Sequence, residues 1–471
     1  MSREARTAAS RIAAVAALAV YGVVISPVVR SGFVQDDRFD VLWGKLRHQF
    51  SLGALSDGIR WTDIYVHSLG RFHPLAHLVG SVSFEISDRE SFKLLQFGLA
   101  LAVAAVLLHL LNTWTGDRRT GPIAVLILSA IGQFRTDFDP IVSFGVHTKV
   151  MLLILLLQLE VIQKIAKDSS HARYFKFGLV VLLLCAAMYH EIAVVSSVGL
   201  VFVSSSLNKH DATFVRRLVA WVLFAYVALR VRMYVTTTSA IAMPYYKLST
   251  SPFTVLVAFL KQLSGLVPYL SIASWGSSVL PQFPTYLLLL LLVGAALLPV
   301  AISESAPHHT AHHRRNICLS FIWWILGSAS VVSLSAGHQM WSSWGGGYIN
   351  IWVAQIGLSG ALGVAFTACI DRARRLRFIG LTGVAAVILI CTSITARVNS
   401  LIVDSNPRWQ ASTQINGWER EQALRAIDAG IFDSWKQSET LVASPPRPWM
   451  NEAYLRLITG EVHLRMSNSW E

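Results

Sequence analysis

The sequence predicts an all-α polytopic membrane protein. Of its 471 residues, 54% are hydrophobic and only 14% are charged, and the mean hydropathy is +0.51. A water-soluble domain carries about 25% charged residues, so this chain has too few charges for a soluble surface. Its basic residues also fall in short clusters between apolar runs, which is typical of cytoplasmic loops between membrane spans. A soluble enzyme, a disordered scaffold and a secreted disulfide framework are therefore excluded.

The net charge of +13 does not indicate nucleic-acid binding. A nucleic-acid protein gathers its cations on one face, whereas here they recur between spans. The clusters are Arg3/Arg6/Arg11, Arg118/Arg119, Lys164/Lys167/Arg173/Lys176, Lys209/Arg216/Arg217, Arg314/Arg315 and Arg372/Arg374/Arg375/Arg377. The four cysteines lie in or beside apolar runs without metal-binding spacing, so they are expected to pack as small apolar side chains.

Placing the basic clusters in the cytoplasm predicts about eleven spans, with the N-terminus inside and the C-terminus outside. The first span is expected to be retained, because no cleavage site for a signal peptide follows it. The predicted spans cover approximately residues 11–29, 91–112, 121–134, 148–165, 175–189, 192–207, 214–235, 285–302, 317–335, 349–369 and 378–397.

The remaining segments complete the predicted organisation. A long first external loop covers residues 30–90, and the transmembrane part covers 1–397. Pro74–Ile86 is too short to span, and Phe253–Ile272 contains polar residues and a proline, so both are predicted to lie on the membrane as interfacial helices. Residues 398–471 are richer in Trp, Arg, Glu and Gln and are predicted to form a small external cap.

A pair of adjacent carboxylates follows the first span, in Gln35-Asp36-Asp37-Arg38. Two neighbouring carboxylates resist joint ionisation unless a cation, a hydroxyl donor or an arginine compensates them. This pattern suits a general base or a metal–phosphate site, and Asp36 and Asp37 are the candidate ligands of a divalent metal. A helix cap or a solvated loop pair is the alternative interpretation.

Two further acidic elements fall on external loops. Asp137 and Asp139 follow the third span, where a site role competes with Asp-Pro turn chemistry. His190 and Glu191 lie between the fifth and sixth spans. Ionisable groups at a membrane segment are costly and indicate function, although a satisfied structural pair is the alternative.

Basic side chains on the external side oppose the usual charge distribution. Arg71 and His73 lie in the first loop, and His147 and Lys149 precede the fourth span. Cations beside the headgroups can bind a lipid phosphate. Arg230 and Arg232 at the end of the seventh span belong to the same group, although Lys149 and Arg232 could simply extend to the headgroups.

The external loop His338–Tyr348 is rich in aromatic residues and glycine. It contains Trp341, Trp344 and the run Gly345-Gly346-Gly347. Aromatic faces beside a flexible backbone suit stacking on a sugar ring. An ordinary interfacial aromatic belt is the alternative interpretation.

The order of these motifs resembles that of membrane glycosyltransferases of the GT-C fold, over roughly residues 10–300. It resembles especially protein O-mannosyltransferase-like proteins that carry tetratricopeptide repeats. The motifs behind the resemblance are a DD pair after one span, GRFHPL, FEISDRESFKLLQFGLALAVAAVLLHLL, an acidic loop, VHTKVMLLILLL and YHEIAVV. The resemblance implies a GT-C-like bundle in which the acid after the first span, Asp36 or Asp37, is the catalytic base.

The other family motifs match less completely. The acidic second loop corresponds to Asp139 and Asp137, and the S-K-E-[TS]-A element aligns with Glu191, with His190 in place of its lysine. His73 stands where the G-[YF]-R-P-L element has arginine. The repeats are missing from this sequence, which favours a glycan or lipid acceptor over a protein.

The resemblance implies sugar transfer from a polyprenyl-phosphate donor at the outer face of a bacterial inner membrane. An aspartate would take the proton of an acceptor hydroxyl, and external cations would balance the departing phosphate. No nucleotide-binding motif is present, in keeping with a lipid-phosphate leaving group. A transporter or flippase of a lipid-linked saccharide is the alternative, and it predicts inverted repeats and mid-span charges that this sequence does not display. A glycan polymerase or ligase of another fold would carry its key arginines in large loops near the end of the chain, whereas the informative loops of this sequence come early.

Overall fold

In the computed structural model the regular secondary structure is helical, and no strand occurs among the described residues. These are residues 3–32, 37, 53–69, 71–86, 88–136, 139–167, 170–236, 248–249, 251–268, 282–302, 311–372 and 377–405. Asp36, Asp137 and the predicted cap beyond residue 405 lie outside them. The protein is therefore all-α in its described part, as predicted.

Seventeen helices have their bounds within the described residues. In chain order they are α1 Arg3–Ile25, α2 Pro27–Arg30, α3 Ala54–Leu69, α4 Pro74–Ser83, α5 Arg89–Thr115, α6 Thr120–Ile131, α7 His147–Lys167, α8 Ala172–Tyr189, α9 Glu191–Ser197, α10 Leu200–Ser204, α11 Lys209–Thr236, α12 Pro252–Ser264, α13 Phe283–Ile302, α14 Ala311–Ser333, α15 Ala336–Trp341, α16 Ile351–Arg372 and α17 Arg377–Ser405.

Eight helical segments in the described chain are long and apolar enough to cross a membrane. They are formed by α1 with α2, α5, α8, α11, α13, α14, α16 and α17. A span needs about 20 predominantly apolar residues, a length that these segments approach or exceed. The protein is therefore an integral membrane protein with several spans, as the sequence predicted.

The other three predicted spans are also helical. They correspond to α6, to the more highly charged α7 and to the pair α9 and α10. Helices α4 and α12 cover most of the two segments predicted to be interfacial. Helix α17 runs on to Ser405, past the predicted end of the transmembrane part at residue 397.

The loops predicted to be external come together at one end of the bundle, which we call the site end. There Arg30 pairs with Asp404 at 3.3 Å, joining the ends of α2 and α17. The Arg89 guanidinium donates to the backbone oxygens of Val29 and Ser31 at 3.2 Å, which fixes the start of α5 beside the end of α2.

The opposite end, which we call the basic end, gathers the loops predicted to be cytoplasmic. His313 contacts the Trp114 backbone oxygen at 3.0 Å and the Ser206 hydroxyl at 2.8 Å, so the start of α14 meets the ends of α5 and α10. In the turn after α5, Arg119 is buried against Asp117 at 2.6 Å. Arg119 therefore stabilises this turn instead of presenting its charge to solvent.

Helix α6 occupies the centre of the bundle and contacts α1, α5, α16 and α17. Every residue from Thr120 to Ala130 is buried except Ile127. Small residues permit this close packing of α6 against α16. A Cβ atom on Gly363 would lie 2.8 Å from the Cβ of Ala124, which is too close for two carbon atoms. A 12-residue helix is thus surrounded by protein, which explains its almost wholly apolar sequence.

Candidate functional site

A cavity of about 620 Å³ opens at the site end. It lies where α3, α4 and α11 meet the start of α7, the junction of α8 and α9, and the end of α14. One wall is polar and includes Arg71, His77, His147, His190, Glu191 and Arg230. The other is apolar and includes Leu223, Val227, Val231, Val331 and Leu334. A pocket with one polar and one apolar wall suits an amphiphilic ligand.

The junction of α8 and α9 carries two of the predicted site residues into this cavity. His190 interrupts the helical run with an extended backbone (φ −166°, ψ 147°), and Glu191 begins α9. The Ile192 N–H donates to Nδ1 of His190 at 3.1 Å, which caps α9. When His190 is neutral, its proton is therefore on Nε2.

Glu191 holds two residues of the first loop. The Arg71 guanidinium donates to Oε1 of Glu191, and His73 Nε2 lies 2.6 Å from Oε2. The ring of His73 also stacks on that of His190, with centroids 4.9 Å apart. Residues predicted separately from the GRFHP and YHE motifs therefore form one cluster.

Burial sets the charge state of this cluster. Burial lowers the pKa of His73, and it lowers the pKa of His190 to about 3, although Glu191 opposes both shifts. Burial alone would raise the pKa of Glu191, but the Arg71 guanidinium and the hydrogen bond to His73 oppose burial, and that pKa is held well below its ordinary value. The cluster therefore contains an ionised carboxylate, a guanidinium and two neutral imidazoles at pH 7.

Asp37 belongs to a second, fully buried cluster beside the cavity. Its Oδ1 accepts the Gly145 N–H at 2.5 Å, and its Oδ2 accepts from Gln96 at 3.2 Å. Lys93 Nζ lies 3.9 Å from Oδ2, and Lys149 Nζ donates to the Gly145 backbone oxygen at 2.7 Å. Asp37 therefore ties the segment after α2 to α5 and to the loop before α7.

Burial raises the pKa of Asp37 to about 6, although the ammonium groups of Lys93 and Lys149 and the Gly145 N–H lower it. The carboxylate is thus mainly ionised at pH 7 and is surrounded by hydrogen-bond donors. Such surroundings do not suit a bound cation. No group of three or more His, Cys, Asp or Glu side chains within the described chain is placed to hold a metal ion.

Asp139 stabilises its own loop. Its Oδ1 accepts the N–H groups of Ile141 and Val142 at 2.8 and 2.9 Å, and its Oδ2 accepts that of Arg135 at 2.7 Å. The side chain is buried and does not line the cavity. Asp139 therefore makes the turn hydrogen bonds of the alternative interpretation, and its catalytic role stays a prediction.

The predicted site residues thus separate into groups. The residues that line the cavity are Arg71, His147, His190 and Glu191, and His73 contacts them. Lys149 and Asp37 share the buried cluster beside the cavity. The roles proposed for Asp36 and Asp137 stay predictions, since both residues lie outside the described part of the chain.

Several cavity residues had no assigned role from sequence. Asp57 and Tyr65 of α3 and Tyr226 of α11 line the cavity, and Ser81 donates to Asp57 at 2.8 Å. The sequence signal for these residues is weak, because none of them belongs to a motif that distinguishes it from the other polar residues of its helix. In the loop predicted to stack on a sugar, Tyr348 lines the cavity, whereas Trp344 is 60% exposed.

Comparison with known proteins does not indicate a function, so the functional assignment rests on the geometry of the site. No protein-family model, no curated protein and no solved structure matches the chain.

Proposed function

We propose that this protein is a membrane glycosyltransferase that moves a sugar from a polyprenyl-phosphate donor to a hydroxyl acceptor. The observation that supports the proposal is the cavity at the site end, whose polar wall joins Arg71, His147, His190 and Glu191 from three separate loops. Its apolar wall lies beside a helix of membrane-spanning character. A lipid phosphate that carries a sugar has matching polar and apolar parts.

The proposed architecture is a GT-C-like bundle of about eleven spans. In it α6, α7 and the pair α9 and α10 also cross the bilayer. The site end and the C-terminal cap face the outside of a bacterial inner membrane, and the N-terminus is cytoplasmic. The acceptor is a glycan, a lipid or a protein hydroxyl.

The proposed reaction inverts the sugar at its anomeric carbon. A carboxylate takes the proton of the acceptor hydroxyl, whose oxygen forms a bond to that carbon. The bond between the carbon and the phosphate oxygen breaks, and the lipid phosphate leaves with the electron pair. Cations at the cavity balance the charge of the departing phosphate.

We assign the base to Asp36 and a positioning role to Asp37. Both oxygens of Asp37 already accept hydrogen bonds from Gly145 and Gln96, which favours a role in holding the loop. Asp36 is the remaining acid of the pair. Loss of a general base lowers a rate by about 10²- to 10⁴-fold.

The test measures release of farnesyl phosphate by the purified protein from synthetic farnesyl-phosphoryl mannose, glucose, galactose and arabinose, each with a decyl glycoside acceptor. The wild type is expected to release farnesyl phosphate from at least one donor. The rate of release by Asp36→Asn is expected to be lower by a factor of about 100 or more. Asp63→Asn is the matched control, because Asp63 is exposed on α3 and does not line the cavity.

Full activity in Asp36→Asn would overturn the assignment of the base. If no donor releases farnesyl phosphate, while liposomes containing the protein move a lipid-linked sugar across the bilayer, the transporter alternative replaces the transferase.

A further inference from the structure

Tyr226 presents an unsatisfied hydroxyl at the cavity. Its side chain lines the cavity and is only 7% exposed. Its Oη is buried and has no hydrogen-bond partner among the described residues. Leaving a buried hydroxyl unpaired costs about 1–3 kcal/mol, so this position favours a ligand that supplies an oxygen acceptor.

Arg230 lies one helical turn beyond Tyr226 on the same face of α11. Residues four apart are neighbours on a helix, and both line the cavity. A phenol and a guanidinium one helical turn apart can together offer several donors to one acceptor group. Phosphate oxygens match such a donor set, because arginine binds them in a two-point geometry.

The rest of this face is apolar. Leu223, Val227 and Val231 recur at four-residue spacing beside Tyr226 and Arg230 and also line the cavity. Val227 and Val231 are 50% and 57% exposed, so this edge of the cavity is open on a membrane-spanning helix. A hydrocarbon chain can follow the stripe toward the bilayer, about 10 Å from Arg230 to Leu223.

Arg71 is the other arginine that lines the cavity. Arg71 is paired with Glu191, and that carboxylate also contacts His73. The ion pair offsets much of the charge that Arg71 would offer to a second anion. Arg230 also makes contacts within the protein, and its position distinguishes it, since it adjoins both the unsatisfied Tyr226 hydroxyl and the apolar stripe.

We propose that Tyr226 and Arg230 bind the phosphate of a lipid monophosphate, whose chain lies along Leu223, Val227 and Val231. This rests on the proposed function for the identity of the lipid, and it assigns the phosphate contact to α11 instead of to Arg71. Arg232, two residues further on, is exposed and does not line the cavity.

The test is equilibrium binding of undecaprenyl phosphate to the purified protein in nanodiscs, with undecaprenol and inorganic phosphate as separate probes. Arg230→Gln is expected to weaken binding of the lipid phosphate about tenfold and Tyr226→Phe about threefold. Arg230→Lys should retain part of the affinity, because it keeps the charge. Binding of undecaprenol should be unchanged in all three variants, and Arg232→Gln is the matched control.

Unchanged binding in Arg230→Gln, or an equal loss in Arg232→Gln, would overturn the proposal. An equal loss for undecaprenol would do the same, because it would indicate damage to the fold or to the apolar wall. If inorganic phosphate competes as strongly as the lipid, the lipid part is wrong.

These outcomes are distinct from failure of the proposed function. A wild type that binds undecaprenyl phosphate through Arg230 but transfers no sugar refutes only the transferase. A protein that transfers sugar with unchanged binding in Arg230→Gln refutes only this assignment.

Discussion

At the scale of single residues, Glu191 links two distant parts of the chain. It receives Arg71 and His73 from the first loop, while its neighbour His190 stacks on His73. The sequence identified all four as candidate site residues and predicted that they lie on the same side of the membrane. It could not pair them, because contacts across more than one hundred residues depend on helix packing rather than on local pattern.

The buried histidines make stability depend on pH. Burial lowers the pKa of His73, lowers that of His77 well below 6.5, and lowers that of His190 to about 3. The unfolded chain binds protons at these positions near pH 6.5, where the folded protein does not. Their contribution to stability is therefore complete above about pH 6.5 and is lost as the pH falls toward the folded pKa values.

We expect the thermal midpoint of His77→Asn to fall less than that of the wild type when the pH is lowered from about 7 to about 5. The asparagine has no proton to gain in the unfolded chain. Thermal unfolding in detergent measures the difference, and His109→Asn, at a mostly exposed side chain, is the matched control. An identical decline in His77→Asn and the wild type would contradict this assignment.

At the scale of elements, a buried asparagine connects the central helices. Asn399 of α17 donates to the Val24 and Gly132 backbone oxygens at 3.0 and 3.1 Å and accepts the Phe134 N–H at 2.7 Å. It thereby satisfies backbone groups at the end of α6 and inside α1. The sequence predicted these helices but not this link, because an isolated polar residue in a span has no distinguishing pattern.

Asn399→Ala is expected to lower the free energy of unfolding by about 2–4 kcal/mol, since it leaves buried backbone groups unpaired. A fall in the thermal midpoint in detergent measures the loss. Ser400→Ala is the adjacent control, because Ser400 accepts a long hydrogen bond of 3.4 Å from the exposed Arg30. Equal midpoints for Asn399→Ala and Ser400→Ala would show that the hydrogen bonds of Asn399 do not stabilise the bundle.

At the scale of the whole molecule, alternate loops lie at opposite ends of one bundle. The site end contains the Arg30–Asp404 pair and the cavity, and the basic end contains the contacts of His313. This separation is what the positive-inside distribution requires. The same distribution predicts that the site end is external.

Cysteine labelling tests that orientation. In a variant without the four native cysteines, Trp344→Cys at the site end should react with an impermeant maleimide in intact cells. Lys209→Cys at the basic end should react only after the membrane is opened. Both positions are exposed, so accessibility within the protein does not limit either reaction. The reverse labelling pattern would invert the predicted topology.

The sequence by itself determined that this is a helical membrane protein and where most of its helices lie, because apolar length and charge distribution are local properties. It also selected Arg71, His190 and Glu191, because ionisable side chains are costly at a membrane unless they are partnered. Only the tertiary structure decided that Asp37 and Asp139 are held by backbone N–H groups, and that Tyr226 and Arg230 adjoin the cavity. Those roles depend on which side chains the packing buries together, and chain order does not encode that directly.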